Sequence, residues 1–312
     1  MDKIICVVGP TASGKTELAL RLAEALGGEV VSCDSMQVYR RMDIGTAKPT
    51  AAELARARHH MVDVAEPDED FSVGKYVPLA DACVQDILAR GKTVIVAGGT
   101  GLYAESLMAG RSFAPVPATG VRQRLEARLE AEGGAALLRE LAEADPETAA
   151  RLHPADGKRI VRALEVFLET GMTISRHNAL TQSVPPKYNP IWLGLDFEDR
   201  AALYARIDRR VERMREAGLD DEVRALLDAG VPDTATAMQA IGYKELAACE
   251  RGETDRAAAY ALIKQRSRNY AKRQLTWFRR NGAMHWVRRG AADTDDTIFA
   301  AVRQIIPFFA GA

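Results

Sequence analysis

The chain has 312 residues, a formal net charge of −1 at pH 7 and four scattered cysteines with no C-x-x-C pair. That length buries a full core with room for a main domain plus an insert, and the charge balance excludes a uniformly basic nucleic-acid binder. The cysteine spacing argues for reduced thiols and against a zinc module, no apolar run approaches the ~18 residues that span a bilayer, and a strand at the very N-terminus leaves no room for a signal peptide, so the expectation is a cytoplasmic protein, by default a monomer.

The first strand is expected at Ile4–Val8, followed by Gly9, Pro10, Thr11, Ala12, Ser13, Gly14, Lys15 and Thr16 and then by a helix over Thr16–Leu26. A G-x-x-x-x-G-K-T loop between a strand and a helix forms an anion cradle. Backbone N–H groups and the helix N-terminus face the anion, the lysine supplies a point charge and the threonine hydroxyl suits Mg²⁺. The loop implies bound phosphates but does not say whether they belong to a nucleotide.

A second short strand at Glu29–Ser32 runs into Asp34, Ser35, Met36 and Gln37. A carboxylate there suits a metal ligand or a general base, or caps the next helix. Gln37 beside it can pair with the N6/N7 edge of adenine, which suggests a base as acceptor. His59-His60 is read as structural, because adjacent side chains point apart. A helix is expected over Ser72–Ala89 and a buried strand over Thr93–Ala97, ending in Gly98-Gly99-Thr100-Gly101. A nucleotide hydrolase would carry a Mg²⁺-holding Asp at that strand end; here stand glycines and a hydroxyl, read either as a plain turn or as room for a substrate. Apolar strands separated by helices indicate a parallel sheet covered on both faces, with the loops 9–16, 34–37 and 98–101 converging at its C-terminal edge.

From Pro115 and Pro117 to Pro185-Pro186 the texture is helical, rich in Ala, Leu, Glu and Arg, with a basic cluster at Lys158-Arg159-Ile160-Val161-Arg162. The expected division is a core of 1–114 and 185–312 with an inserted helical domain of 115–184. Ile191–Leu195 returns as a strand, and helices are expected over 199–217, 219–229 and 254–280. Arg206 and Arg210 share a helix face and suit a departing diphosphate, or a solvated face with Asp208 and Glu212. Between Lys264 and Arg289 stand nine Lys/Arg and no Asp or Glu, interleaved with Tyr270, Trp277, Phe278 and Trp286. One-sided charge on a near-neutral chain reads as a nucleic-acid footprint.

Taken together, GPTASGKT (9–16), DSMQVYRRMDIGTAKP (34–49), GGTGLY (98–103), KRIVRALEV (158–166), LYARIDRRVERM (203–214), AIGYKE (240–245) and AKRQLTWFRR (271–280) resemble the bacterial tRNA dimethylallyltransferases, also called tRNA isopentenyltransferases. Cys33, Ala97 and Ala155 depart from the usual pattern without touching a proposed catalytic group. The resemblance implies a P-loop NTPase-like α/β fold: a parallel sheet covered by helices, with an inserted helical domain and a helical C-terminal region. It implies transfer of a dimethylallyl group from dimethylallyl diphosphate to N6 of the adenosine 3′-adjacent to the anticodon (position 37) of certain tRNAs. Asp34, Thr100 and Arg210 would be catalytic. The diphosphate would sit on residues 9–16 and Arg206, with Mg²⁺ through Thr16. The tRNA anticodon stem-loop would meet Asp34, Ser35, Met36, Gln37, Thr100 and Arg122, then Lys158, Arg159, Ile160, Val161 and Arg162. It would also meet Gln239, Ala240, Ile241, Gly242, Tyr243 and Lys244, and Lys272, Arg273, Gln274, Leu275, Thr276, Trp277, Phe278 and Arg279. The residues alone leave open a P-loop small-molecule kinase and a non-catalytic, nucleotide-gated RNA-binding protein.

Overall fold

A computed structural model describes residues 3–113, 119–182 and 185–306; Pro115 and Pro117 lie outside them. The chain divides into two compact units, Met1–Gly110 with Lys187–Ala312, and Arg111–Pro186.

The first unit is built on six parallel strands, β1 (Ile4–Val8), β2 (Glu29–Ser32), β3 (His59–His60), β4 (Val94–Gly98), β5 (Ile191–Phe197) and β6 (Met284–Arg289), in the order β3-β2-β4-β1-β5-β6. All five residues of β1 are buried, as expected of a central strand covered on both faces. Leu18 and Leu22 of the Lys15–Leu26 helix pack with Ile5, Val7, Leu193, Ile298 and Val302 in the main core. Leu203 and Ile207 of the Arg200–Glu216 helix pack on Ala271 and Leu275 of the Arg256–Phe278 helix. The strand order doubles back across β1, and at such a reversal the loops after the strand ends open a crevice.

Two strands escaped the sequence reading. β3 has two residues, too few for any period to register. β6 (MHWVRR) is an edge strand that ends in two arginines and lacks a clean apolar alternation, so its sequence carries little strand signal. Glu29 opens β2 at the end remote from the crevice. It is buried, ion-paired with Arg90 and with Lys92 at 2.7 Å and hydrogen-bonded to His60 at 2.8 Å, and these partners hold its carboxyl well below the usual carboxylate range. His60 is thus structural.

The described elements of the second unit are all helices: Val121–Glu132, Gly134–Ala144, Pro146–Ala149, Gly157–Thr170 and Ile174–Gln182. Leu125, Leu137, Leu141, Ile160, Val161 and Leu164 form its core.

Candidate active site

The loop after β1 wraps an anion-sized hollow. Lys15 Nζ donates to the carbonyl of Pro10 at 2.7 Å, and Arg206 Nε donates to the carbonyl of Ala12 at 3.1 Å. The N–H of Thr11 donates to Gln274 Oε1 at 2.9 Å, while Gln274 Nε2 donates to the carbonyl of Gly99 at 3.0 Å. One buried amide thus ties the phosphate-type loop to the loop after β4. Ser13 Oγ is buried with no hydrogen-bond partner among the described residues. Burial, then the nearby Arg210, pull Lys15 down to about 8 against the opposing pull of Asp34 and Cys33. Burial lowers Arg206 and Arg210 in the same direction. Several cations crowd one hollow with too little counter-charge, an arrangement that favours a bound polyanion.

Asp34 follows β2 in a turn rather than a helix, so the cap reading falls away. Its Oδ1 accepts from the N–H of Met36 at 2.9 Å, an Asx-type turn that aims the carboxylate. Thr100 Oγ1 accepts from the N–H of Ser35 at 3.0 Å and lies 3.2 Å from Ser35 Oγ, which locks the loops after β2 and β4 together. Tyr270 is hydrogen-bonded to Thr100 and Gln274, and burial, then Asp34, push its hydroxyl up to about 12. It stays protonated and neutral near pH 7.

These loops line a cavity of about 460 Å³ that also takes in Arg210, Gln239, Ile241 and Tyr270. Loops 9–16, 34–37 and 98–101 therefore converge, as the strand ends require. A second cleft, about 560 Å³, lies against residues 12–16 and carries Arg206, Arg209, Arg210 and Arg213. The glycines of the 98–101 turn also admit close protein neighbours: a Cβ on Gly99 would strike the Gln274 amide, and one on Gly101 the Trp277 ring.

Some expected contact residues are placed elsewhere. Ile160 and Val161, Tyr243, and Leu275 and Phe278 have buried side chains that fill cores. Ala240 is nearly buried and Gly242 backs the cavity wall, while Lys244, Lys158, Arg159, Lys272 and Thr276 are exposed. Arg122 makes a two-pronged bond to Glu165 at 3.0 and 3.1 Å, and Arg162 joins the same carboxylate at 2.8 Å. The basic run is not a single free face. Lys264 pairs with Glu212, Arg266 with Glu245, Arg268 with Asp208, Arg279 with Asp196 and Arg289 with Asp295. Four of the acids come from other helices and strands and Asp295 lies six residues past the run, so all fall outside a count along it. Arg273 instead lies over the Tyr270 ring and Arg280 over the half-buried Trp277 ring. Tyr270 also belongs to the site, and its sequence signal is a shared helix face: Ile263, Ser267, Tyr270 and Gln274 recur at helical spacing and all line the cavity.

The family model described as IPP transferase matches residues 37–281. The chain belongs to the IPP transferase family. Among curated members, the tRNA dimethylallyltransferase of Geobacter metallireducens is 49% identical over 285 residues, covering 91% of this chain and 92% of that protein. The tRNA dimethylallyltransferase of Acetivibrio thermocellus is 40% identical over 310 residues, covering 99% of both. The tRNA isopentenylpyrophosphate transferase of Bacillus halodurans superposes with a TM-score of 0.73 at 39% identity, covering 99% of this chain and 98% of that one. A eukaryotic dimethylallyltransferase acting on tRNA gives 0.80 at 27% identity, covering 98% of this chain and 78% of that one. In this IPP transferase the α/β sheet expected from the strands is present, and no described helix is long and apolar enough to cross a membrane.

Proposed function

We propose that this IPP transferase moves a dimethylallyl group from dimethylallyl diphosphate to N6 of the adenosine 3′-adjacent to the anticodon (position 37) of certain tRNAs. The observation that carries the reading is the meeting of Asp34 with the under-neutralised cations Lys15 and Arg210, at a strand end where Thr100 stands in place of a hydrolytic carboxylate. The C1–oxygen bond of the prenyl diphosphate breaks and a C1–N6 bond forms. Asp34 takes the proton from the attacking amine, and diphosphate leaves on Lys15, Arg210 and the loop amides. Arg206, fixed to the carbonyl of Ala12, extends the cationic wall. Thr100 and Tyr270 hold the loop that carries Ser35, and so keep Asp34 in place.

Mg²⁺ fits as a helper. No three His, Cys, Asp or Glu side chains cluster as a cation site among the described residues, but Thr16 and Asp34 line one cavity. That pair suits an ion that keeps most of its ligands as water and diphosphate oxygens. When bound it offsets charge on the leaving group.

An acceptor adenosine drawn out of the anticodon loop costs a few kcal/mol in lost stacking, and exposed cations such as Lys272 and Arg273 would hold the RNA backbone meanwhile. The decisive experiment supplies dimethylallyl diphosphate, or ATP, with bulk tRNA and identifies by mass which nucleoside changes. A prenylated adenosine is expected. Asp34→Ala is expected to lower the single-turnover rate by about 10²–10⁴-fold with tRNA binding intact. A variant within threefold of wild type would remove Asp34 from the mechanism, and phosphoryl transfer from ATP would replace the reading with a kinase.

A further inference from the structure

One carboxylate that does not line the cavity braces a turn whose Gly45 lines it together with Asp34. Glu222, on the Leu219–Asp228 helix, accepts from the N–H groups of Asp43 and Ile44, both at 2.8 Å, through Oε2. Its Oε1 accepts from the N–H of Gly45 at 3.1 Å and from the Tyr243 hydroxyl at 2.5 Å. Four donors on one acid fix the backbone of the 43–45 turn. Tyr243 is fully buried, and burial and Glu222 push its hydroxyl pKa up, so it remains a donor. Its ring packs where a Cβ on Gly45 would sit. The turn can approach this closely only with glycine there.

The next two carbonyls complete the chain of contacts. Those of Thr46 and Ala47 accept from Gln37 Nε2 at 3.4 and 3.1 Å, and Ser32 Oγ donates to Gln37 Oε1 at 3.0 Å. Carbonyls only accept, so the NH₂ of Gln37 must face them and is turned toward the protein. The side-chain oxygen keeps one lone pair. Gln37 therefore meets a base in the cavity as an acceptor, beside the acceptor Asp34, and not as the two-pronged donor–acceptor expected from sequence. Two acceptors suit the two hydrogens of an exocyclic amine and repel the oxo group of a 6-oxopurine.

We propose that Glu222 is a positioning residue for acceptor-base selection: by clamping the 43–45 turn it fixes the Thr46 and Ala47 carbonyls, and through them the orientation of Gln37. The inference rests on the prenyl-transfer reading above. The test uses an anticodon stem-loop RNA with adenosine at the acceptor position and the same RNA with inosine there. The inosine RNA cannot react and is scored as a competitive inhibitor. Wild type is expected to favour the adenosine RNA by about tenfold or more, the scale of one satisfied against one mismatched polar contact. Gln37→Ala and Glu222→Gln should each reduce the preference to about threefold or less. The double variant should go no lower, because two residues acting through one contact do not add. Affinity for dimethylallyl diphosphate should stay within about twofold of wild type throughout, a readout that general loosening of the fold would move. Should Glu222→Gln unfold, Glu222→Asp keeps the charge with a shorter reach, and an intermediate preference is expected. A wild-type preference retained in the Glu222 variants, additive losses in the double variant, or a parallel fall in diphosphate affinity would overturn the proposal. So would a wild type that prenylates adenosine yet binds both RNAs equally. A wild type that transfers no prenyl group would instead overturn the functional reading.

Discussion

At the scale of single residues, the site is governed by charge that the fold leaves under-balanced. Lys15 lies at about 8, pulled down from 10.5 by burial first and by Arg210 second. A bound diphosphate supplies counter-charge and raises that value, so binding near and above about pH 8 takes up a proton. After correction for the ligand's own titration, affinity for inorganic diphosphate should be flat below about pH 7. Above about pH 8 it should fall by up to about tenfold per pH unit. Lys15→Arg, whose guanidinium does not titrate in that range, should abolish the fall. Calorimetric titration from about pH 6.5 to 9.5 checks both, and a wild-type curve as flat as the variant's would show that Lys15 does not hold the anion. In the unliganded fold the same depression works against stability. The unfolded chain holds this proton up to 10.5 and the folded one only to about 8, so Lys15 becomes less destabilising as pH rises between the two.

Among elements, the Arg256–Phe278 helix is the most composite. One face carries Ile263, Ser267, Tyr270 and Gln274 to the cavity, another packs Ala271 and Leu275 on the neighbouring helix, and Lys264, Arg266 and Arg268 reach acids elsewhere. Of the cations toward its end, Lys272, Arg273 and Arg280 have no ion pair among the described residues, whereas Arg279 lies 3.0 Å from the buried Asp196. Neutralising Lys272, Arg273 and Arg280 together should therefore flatten the log–log salt dependence of tRNA binding by about 2–3 units, the range for three contacts with single- or double-stranded backbone. Arg279→Gln should instead lower the melting temperature and leave that slope nearly unchanged, because it strands a buried carboxylate. A stable triple variant with an unaltered slope would show these three to be a solvated face. The inserted unit tells a similar story on a smaller scale. Of KRIVR, Ile160 and Val161 build the core while Lys158 and Arg159 remain outside, the ordinary alternation of an amphipathic helix.

For the molecule as a whole, ligand binding should register in stability. Dimethylallyl diphosphate and diphosphate, each at about a hundredfold excess over Kd with Mg²⁺ present, should add about 2.7 kcal/mol to the unit that holds the sheet. That corresponds to about 5–11 °C in its melting transition, at about 2–4 °C per kcal/mol for a unit of this size. Lys15→Ala should remove the shift. ATP should not be turned over despite the G-x-x-x-x-G-K-T loop, and steady hydrolysis would contradict the prenyl-transfer reading. Differential scanning with a parallel phosphate-release assay measures both. The Arg111–Pro186 unit has a core of its own and need not share the transition, so the protected step is to be read against its unprotected neighbour.

The linear chain by itself determined the features that depend on local order: buried apolar strands, helix periods, and a glycine loop between strand and helix. These were enough for the parallel sheet, the helical insertion and the convergence of three loops, because parallel strands all deliver their following loops to one edge. The ordered motifs were also enough for the family. What only the tertiary structure decided were the pairings between residues far apart in the chain. Gln274 reaches Thr11 across 263 positions and Glu222 reaches the 43–45 turn across nearly 180, while the acids that neutralise the basic run come from other helices and strands. A run of cations reads the same whether it meets water, RNA or a buried carboxylate, and an amide side chain reads the same as donor or acceptor. Burial and the partner's chemistry choose between those states, and both exist only once the chain has folded.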